Sequence, residues 1–136
     1  MGRKELITGL ERLRKSKVIC YVTGDRAPFT TKVASDTVPL FEKHLRKIGV
    51  CNMISLFLYT RGGDILAPLS IVKLLRNYCQ ILEVVIPYHA HSAGTLLALG
   101  ANKIVMGKMG ELSPTDPSTG HPFNPQNPQS PQQKME

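Results

Sequence analysis

Apolar positions in this chain fall into two alternating patterns. Short, nearly continuous apolar runs mark buried strands: Val18 to Thr23, Met53 to Tyr59, Ile81 to Ile86, and a brief Lys103 to Met106. Between them lie stretches with helical spacing. Residues 3 to 15 place Leu6, Ile7, Leu10 and Leu13 on one stripe. Ser35 or Asp36 caps a helix reaching about Ile48, with Pro39 in its first turn and Gly49 as its stop. Asp64 caps a third, Ile65 to Tyr78, with Leu66, Leu69, Ile71, Val72, Leu74 and Leu75 inward and Lys73, Arg76 and Asn77 outward. Ala27 to Ala34, which contains Pro28, reads as a loop or irregular hairpin. Strand–helix alternation of this kind predicts an α/β domain with a parallel sheet and right-handed crossovers.

Two strand-to-helix junctions carry chemistry. After Val84 to Ile86, Pro87 ends the strand because it has no N–H for the ladder, and helix formers resume at Thr95. Ser92 sits between, with Ala90 two positions before and Gly94 two after. Small flanks of this kind permit a tight turn that projects a hydroxyl outward, as in a nucleophile elbow. An isolated Ser-x-Gly would be read simply as a helix N-cap. The Met53 strand changes that balance, because it runs into Thr60-Arg61-Gly62-Gly63-Asp64. Paired glycines allow positive φ and close approach to a ligand. Both turns are expected at one sheet edge, where open α/β sheets bind ligands. The N–H groups of Gly63 and Ala93 are then candidate donors to an oxyanion.

Tyr59-Thr-Arg-Gly-Gly-Asp64, His91-Ser-Ala-Gly-Thr95, Ile104-Val-Met-Gly107 and Glu111-Leu-Ser-Pro-Thr-Asp-Pro117 together resemble the serine dehydrogenase proteinase family. That family has the ClpP–crotonase fold and is similar to the signal peptide peptidase A group; the resemblance covers about residues 17 to 125. It implies a ClpP/crotonase-like fold and proteolysis, with Ser92 as nucleophile and Gly63 and Ala93 as oxyanion donors. It also implies a general base. ClpP-type enzymes place a His in the region that is Glu111 to Pro117 here, and this stretch contains none. Relatives of signal peptide peptidase use a downstream Lys, at an interval that Lys134 matches; His121 is the other candidate. His89 and His91 share a face of an extended segment, as metal ligands can. Neither His44, His121 nor the cysteines provides a third ligand at a recognisable spacing, so the pair reads as pocket-lining polar groups. No metal and no cofactor are expected. Asp64 and Asp116 read as cap and turn residues.

Composition narrows the rest. The chain has 136 residues, 42% hydrophobic and 20% charged, enough for one domain with a real core. Its net charge of +7 is concentrated locally: Lys or Arg occupies positions 3, 4, 12, 14, 15 and 17. Without aromatic interleaving, this reads as a solvated face rather than a nucleic-acid site. Cys20, Cys51 and Cys79 are scattered, as reduced and mostly buried thiols of a cytoplasmic protein would be. No signal peptide or spanning segment is visible, although the resembled family includes membrane-associated members. Six of the ten prolines lie between Pro114 and Pro131. The organisation expected is therefore a domain over residues 1–110 and an extended or disordered Pro/Gln-rich tail over 111–136.

In the resembled family further helices follow such a segment, so the chain looks truncated at its C-terminus. One sheet face should then be exposed and apolar, partly hidden by self-association into a homo-oligomer. The partner expected is a peptide or protein substrate. The alternative is an inactive or truncated fold member serving as an oligomerisation or interaction module, which needs no base. Crotonase-like thioester chemistry has no use for a hydroxyl at the elbow.

Overall fold

A computed structural model describes residues 1–115. In chain order its elements are α1 (Arg3–Arg14), β1 (Lys17–Val22), the hairpin strands β2 (Asp25–Arg26) and β3 (Phe29–Thr30), a 3-10 turn (Ser35–Thr37), α2 (Val38–Ile48), β4 (Cys51–Tyr59), α3 (Ala67–Arg76), β5 (Cys79–Ile86), β6 (His89–Ala90), α4 (Ala93–Leu99), β7 (Lys103–Met106) and β8 (Glu111–Leu112). The four long apolar runs form one parallel sheet in the order β1-β4-β5-β7. Each pairing follows a crossover through a helix or the hairpin region, as parallel strands require. Register places Leu56 beside Ile19 and Val84, and Val84 beside Ile104.

One face of the sheet is the core. Ile54, Leu56 and Leu58 of β4 and Leu82, Val84 and Ile86 of β5 are buried, as are Phe41, Leu45, Ile71, Leu75 and Leu97 from the helices. Side chains of this size contribute about 1.5–3 kcal/mol each when removed from water. The opposite face carries Cys20, Val22, Ser55, Phe57, Glu83 and Val85, and among the described elements α1 packs there. Arg14 Nε donates to Glu83 Oε2 at 3.0 Å, and the Ser16 and Ser55 hydroxyls lie 2.6 Å apart. This ion pair satisfies a fully buried carboxylate and ties α1 across the sheet. The rest of that face is open: Val22 is 59% exposed, and no residue of α1 is buried.

Several expectations are corrected. Helix α3 begins at Ala67, not Ile65, and Leu66 and Leu69 point to solvent at 76% and 65% exposure. Its buried stripe is Ala67, Pro68, Ile71, Val72 and Leu75, and Leu69 falls outside that arc, beyond the Val72 edge. Asp64 acts ahead of the helix, its carboxylate accepting the Leu66 N–H at 2.9 Å. Strands β4 and β5 start two residues early because Cys51 and Cys79 pair in register. The thiols are less buried than expected, with Cys20 exposed and Cys51 and Cys79 half-buried. The expected 110/111 boundary falls inside ordered structure, since β8 pairs with β6. No described helix is long and apolar enough to cross a membrane.

Candidate active site

The turn after β5 places Ser92 in a backbone conformation that side chains rarely adopt, φ 54° and ψ −113°. Holding a non-glycine residue there costs of order 1–3 kcal/mol, so neighbouring bonds must over-determine it. They do. The Ser92 N–H donates to Ser113 Oγ at 2.7 Å. Gly94 N–H donates to His91 O at 2.8 Å and Thr95 N–H to Ser92 O at 2.9 Å. Thr95 Oγ1 donates to Ala90 O at 2.9 Å and accepts the Ser113 N–H at 3.1 Å. The small residue two places after Ser92 has a packing reason too: a Cβ on Gly94 would sit 2.5 Å from Thr60 Cγ2.

The Thr60–Asp64 turn is clamped from both sides. Toward β6, Thr60 N–H donates to His89 O and His91 N–H donates to Thr60 O, at 2.9 and 3.0 Å. Away from it, Val33 N–H donates to Gly62 O at 2.9 Å, and Asp64 N–H donates to Val33 O at 2.8 Å. In this parallel bridge the flanking Gly62 O and Asp64 N–H bond to Val33, and the N–H of Gly63 itself points away from Val33. Gly62, at φ 120°, is the glycine packed on Ser92: a Cβ there would be 2.8 Å from Ser92 Cβ and 3.3 Å from Ser92 Oγ. At Gly63 a Cβ would meet Val33 O at 2.2 Å. Ala93 opens α4, so its N–H has no partner within the helix.

Ser92, Ala93 and the Gly62-Gly63 turn are thus brought together. Lys134, His121 and Asp116 lie outside the described residues. Among the described residues, Ser92 Oγ makes no side-chain hydrogen bond to a base.

Beside the elbow runs a polar network that sequence reasoning largely missed. Glu111 Oε1 meets both His89 Nδ1 and His91 Nε2 at 2.7 Å. Arg61 Nη2 lies 3.3 Å from His89 Nε2, and Arg61 Nε donates to Asp25 Oδ2 at 2.9 Å. Tyr59 Oη donates to the same Asp25 oxygen at 2.6 Å. Since Arg61 is only a donor, His89 is assigned the tautomer with Nδ1–H toward Glu111. Tyr88 stacks on the His89 ring, with centroids 3.6 Å apart. The His91 and His89 hydrogen bonds hold the Glu111 carboxyl below its ordinary range; Tyr59 and Arg61 do the same for Asp25. The His89, His91 and Glu111 donor atoms lie within 4.8 Å of one another and form the described group able to hold a cation. Glu111 is the third donor that spacing did not reveal; its only sequence signal is its place in the Glu111–Pro117 segment. A cleft of about 540 Å³ opens beside the turn, lined by Asp25, Thr30, Lys32, Arg61, Gly62 and Gly63 among others.

Residues 1–129 match the family of ClpP-like SDH-type serine proteinases. The chain belongs to this family. It is similar to two uncharacterised proteins of Methanocaldococcus jannaschii. With MJ1495 it shares 29% identity over 114 residues, 79% of this chain and 39% of that one. With MJ0137 it shares 43% identity over 53 residues, 39% of this chain and 18% of that one. The chain therefore spans well under half the length of both. Among solved structures, the ClpP protease catalytic domain from Plasmodium falciparum superposes with a TM-score of 0.51 at 13% identity, covering 77% of this chain and 62% of that one. A mutant of ClpP1 from Listeria monocytogenes gives 0.50 at 18% identity, covering 67% and 50%. These likenesses identify a ClpP-like α/β fold.

Proposed function

We propose that this family member is a serine peptidase that cleaves peptide bonds through an acyl-enzyme on Ser92. The observation that carries the reading is the positive φ of Ser92 on a strand–turn–helix junction, held against Gly62. Strain of that kind is kept where it aims a reactive group. In the reaction, Ser92 Oγ attacks the carbonyl carbon and its proton passes to a base. The N–H groups of Gly63 and Ala93 meet the oxyanion, the amine leaves with that proton, and water then releases the acid. Support for Gly63 as donor is its N–H direction, opposite to Val33; support for Ala93 is its place at the start of α4. Lys134 and His121 are the base candidates. A homo-oligomer, formed over the open sheet face, is part of the same reading.

The test is labelling with a fluorophosphonate probe, which reacts preferentially with an activated serine. Label on the wild type that disappears in Ser92→Ala supports the assignment, and label that persists defeats it. The base is then sought with Lys134→Ala and His121→Ala, each expected to lower the labelling rate if it removes the proton acceptor. The module reading, favoured by the open face around Val22 and Phe57, instead expects no label and concentration-dependent association.

A further inference from the structure

We infer that His89, His91 and Glu111 form a binding site for one zinc-class divalent cation beside the elbow, a property that goes beyond the peptidase reading. Three features of the fold build the site. Residues 89 and 91 alternate along the β6 segment, so both imidazoles fall on one side. Pairing of β6 with β8 puts Glu111 in register with His89. The rings then converge on a single oxygen, Glu111 Oε1, at 2.7 Å from His89 Nδ1 and from His91 Nε2. Tyr88 stacked on His89 fixes the first ring, whose side chain is 8% exposed.

The donor set selects the ion. Two imidazole nitrogens and one carboxylate oxygen suit zinc and its neighbours, whereas magnesium prefers an all-oxygen shell. Metal bonds of ~2.0–2.1 Å in a tetrahedron set ligand atoms about 3.3 Å apart. The present contacts must therefore widen by about 0.6 Å, and the Glu111 side chain, 47% exposed, has room to turn by that much. Three protein ligands leave the fourth position to water.

Charge favours the site as well. Asp25 pairs with Arg61, and among the described residues the Glu111 carboxylate is met by the two rings it touches and by no Lys or Arg. The ion takes the place of the ring hydrogens now shared with Glu111. One contact must yield: with Nδ1 on the metal, His89 Nε2 carries the hydrogen, and Arg61 can no longer donate to it. At 3.3 Å it is the longest contact of the network, and Arg61 is 58% exposed.

The experiment is a calorimetric titration of the chelator-treated 136-residue protein with zinc chloride, and with magnesium chloride in parallel. One zinc per chain and no magnesium are expected. His91→Gln and Glu111→Gln should each weaken zinc binding at least tenfold with an unchanged circular dichroism spectrum. X-ray absorption on the zinc-loaded wild type gives a second reading that needs no variant: two imidazoles and light oxygen atoms, without sulfur. Zinc that binds equally well to both folded variants overturns the site. So does a sulfur-containing or imidazole-free shell, or a folded wild type that takes no zinc.

Discussion

Replacing Gly62 by Ala should damage the elbow far more than its size suggests. Two effects add. The backbone at φ 120° lies where a Cβ is poorly tolerated, at of order 1–3 kcal/mol. The new methyl would also lie 2.8 Å from Ser92 Cβ, and overpacking of this kind typically costs ~1–3 kcal/mol. Relief to ordinary contact at 3.4 Å needs a shift of about 0.6 Å between the two carbons. The turn is held by Val33 on its far side, so Ser92 must do much of the moving. Displacements approaching 1 Å at a reacting group cost up to about 10²-fold, so the fluorophosphonate labelling rate should fall about tenfold or more. Urea denaturation should show a loss of roughly 2–6 kcal/mol. Gly9→Ala is the control, since nothing lies within 4 Å of its added Cβ; mid-helix, it should be neutral or stabilising by up to about 1 kcal/mol. Gly62→Ala with wild-type stability and labelling rate would refute the packing argument.

Thr60 is fully buried; its hydroxyl accepts the Gly62 N–H at 3.0 Å and the Thr23 hydroxyl at 2.7 Å. The near-isosteric Thr60→Val leaves both donors unpaired and should cost about 2–4 kcal/mol by urea denaturation; a loss under half that range contradicts the clamp. Glu83 is held below the ordinary carboxylate range first by its Arg14 hydrogen bond. A depressed carboxyl stabilises the fold fully above its unfolded pKa, near 4.3, and that contribution fades as pH falls through the lower folded value. Wild type should therefore lose stability below about pH 4.3 more steeply than Glu83→Gln, as urea midpoints at several pH values would show; parallel curves would contradict the linkage. Arg14→Met strands the buried carboxylate and should cost about 2–3 kcal/mol, between the values for exposed and buried pairs because Arg14 is 31% exposed. A Met variant as stable as wild type would show that α1 is not tied through this pair.

Much of the fold is legible in local pattern. The runs Met53–Tyr59 and Ile81–Ile86 are long and apolar enough to be read as strands buried in a parallel sheet, and Ala90-x-Ser92-x-Gly94 announces a tight turn. What escapes is what depends on pairing between distant segments. Nothing in the order of Gly62 and Gly63 says which one packs on Ser92; the bridge to Val33 decides it, setting Gly62 against the serine and leaving the Gly63 N–H turned away from Val33. Glu111 and Ser113 join the site only because β8 pairs with β6, so a composition boundary at residue 110 cuts through it. The stripe of α1 is periodic, yet periodicity does not name a partner, and most of that helix covers only a corner of the sheet.

The central claim is that the strained serine at the elbow is the reactive one. Peptide mapping by mass spectrometry after fluorophosphonate treatment of the folded wild type and of Ser92→Ala tests it directly. One adduct on Ser92 in the wild type, and none anywhere in Ser92→Ala, is the predicted result. An adduct on another residue, label that survives in Ser92→Ala, or a folded wild type that takes none would contradict it.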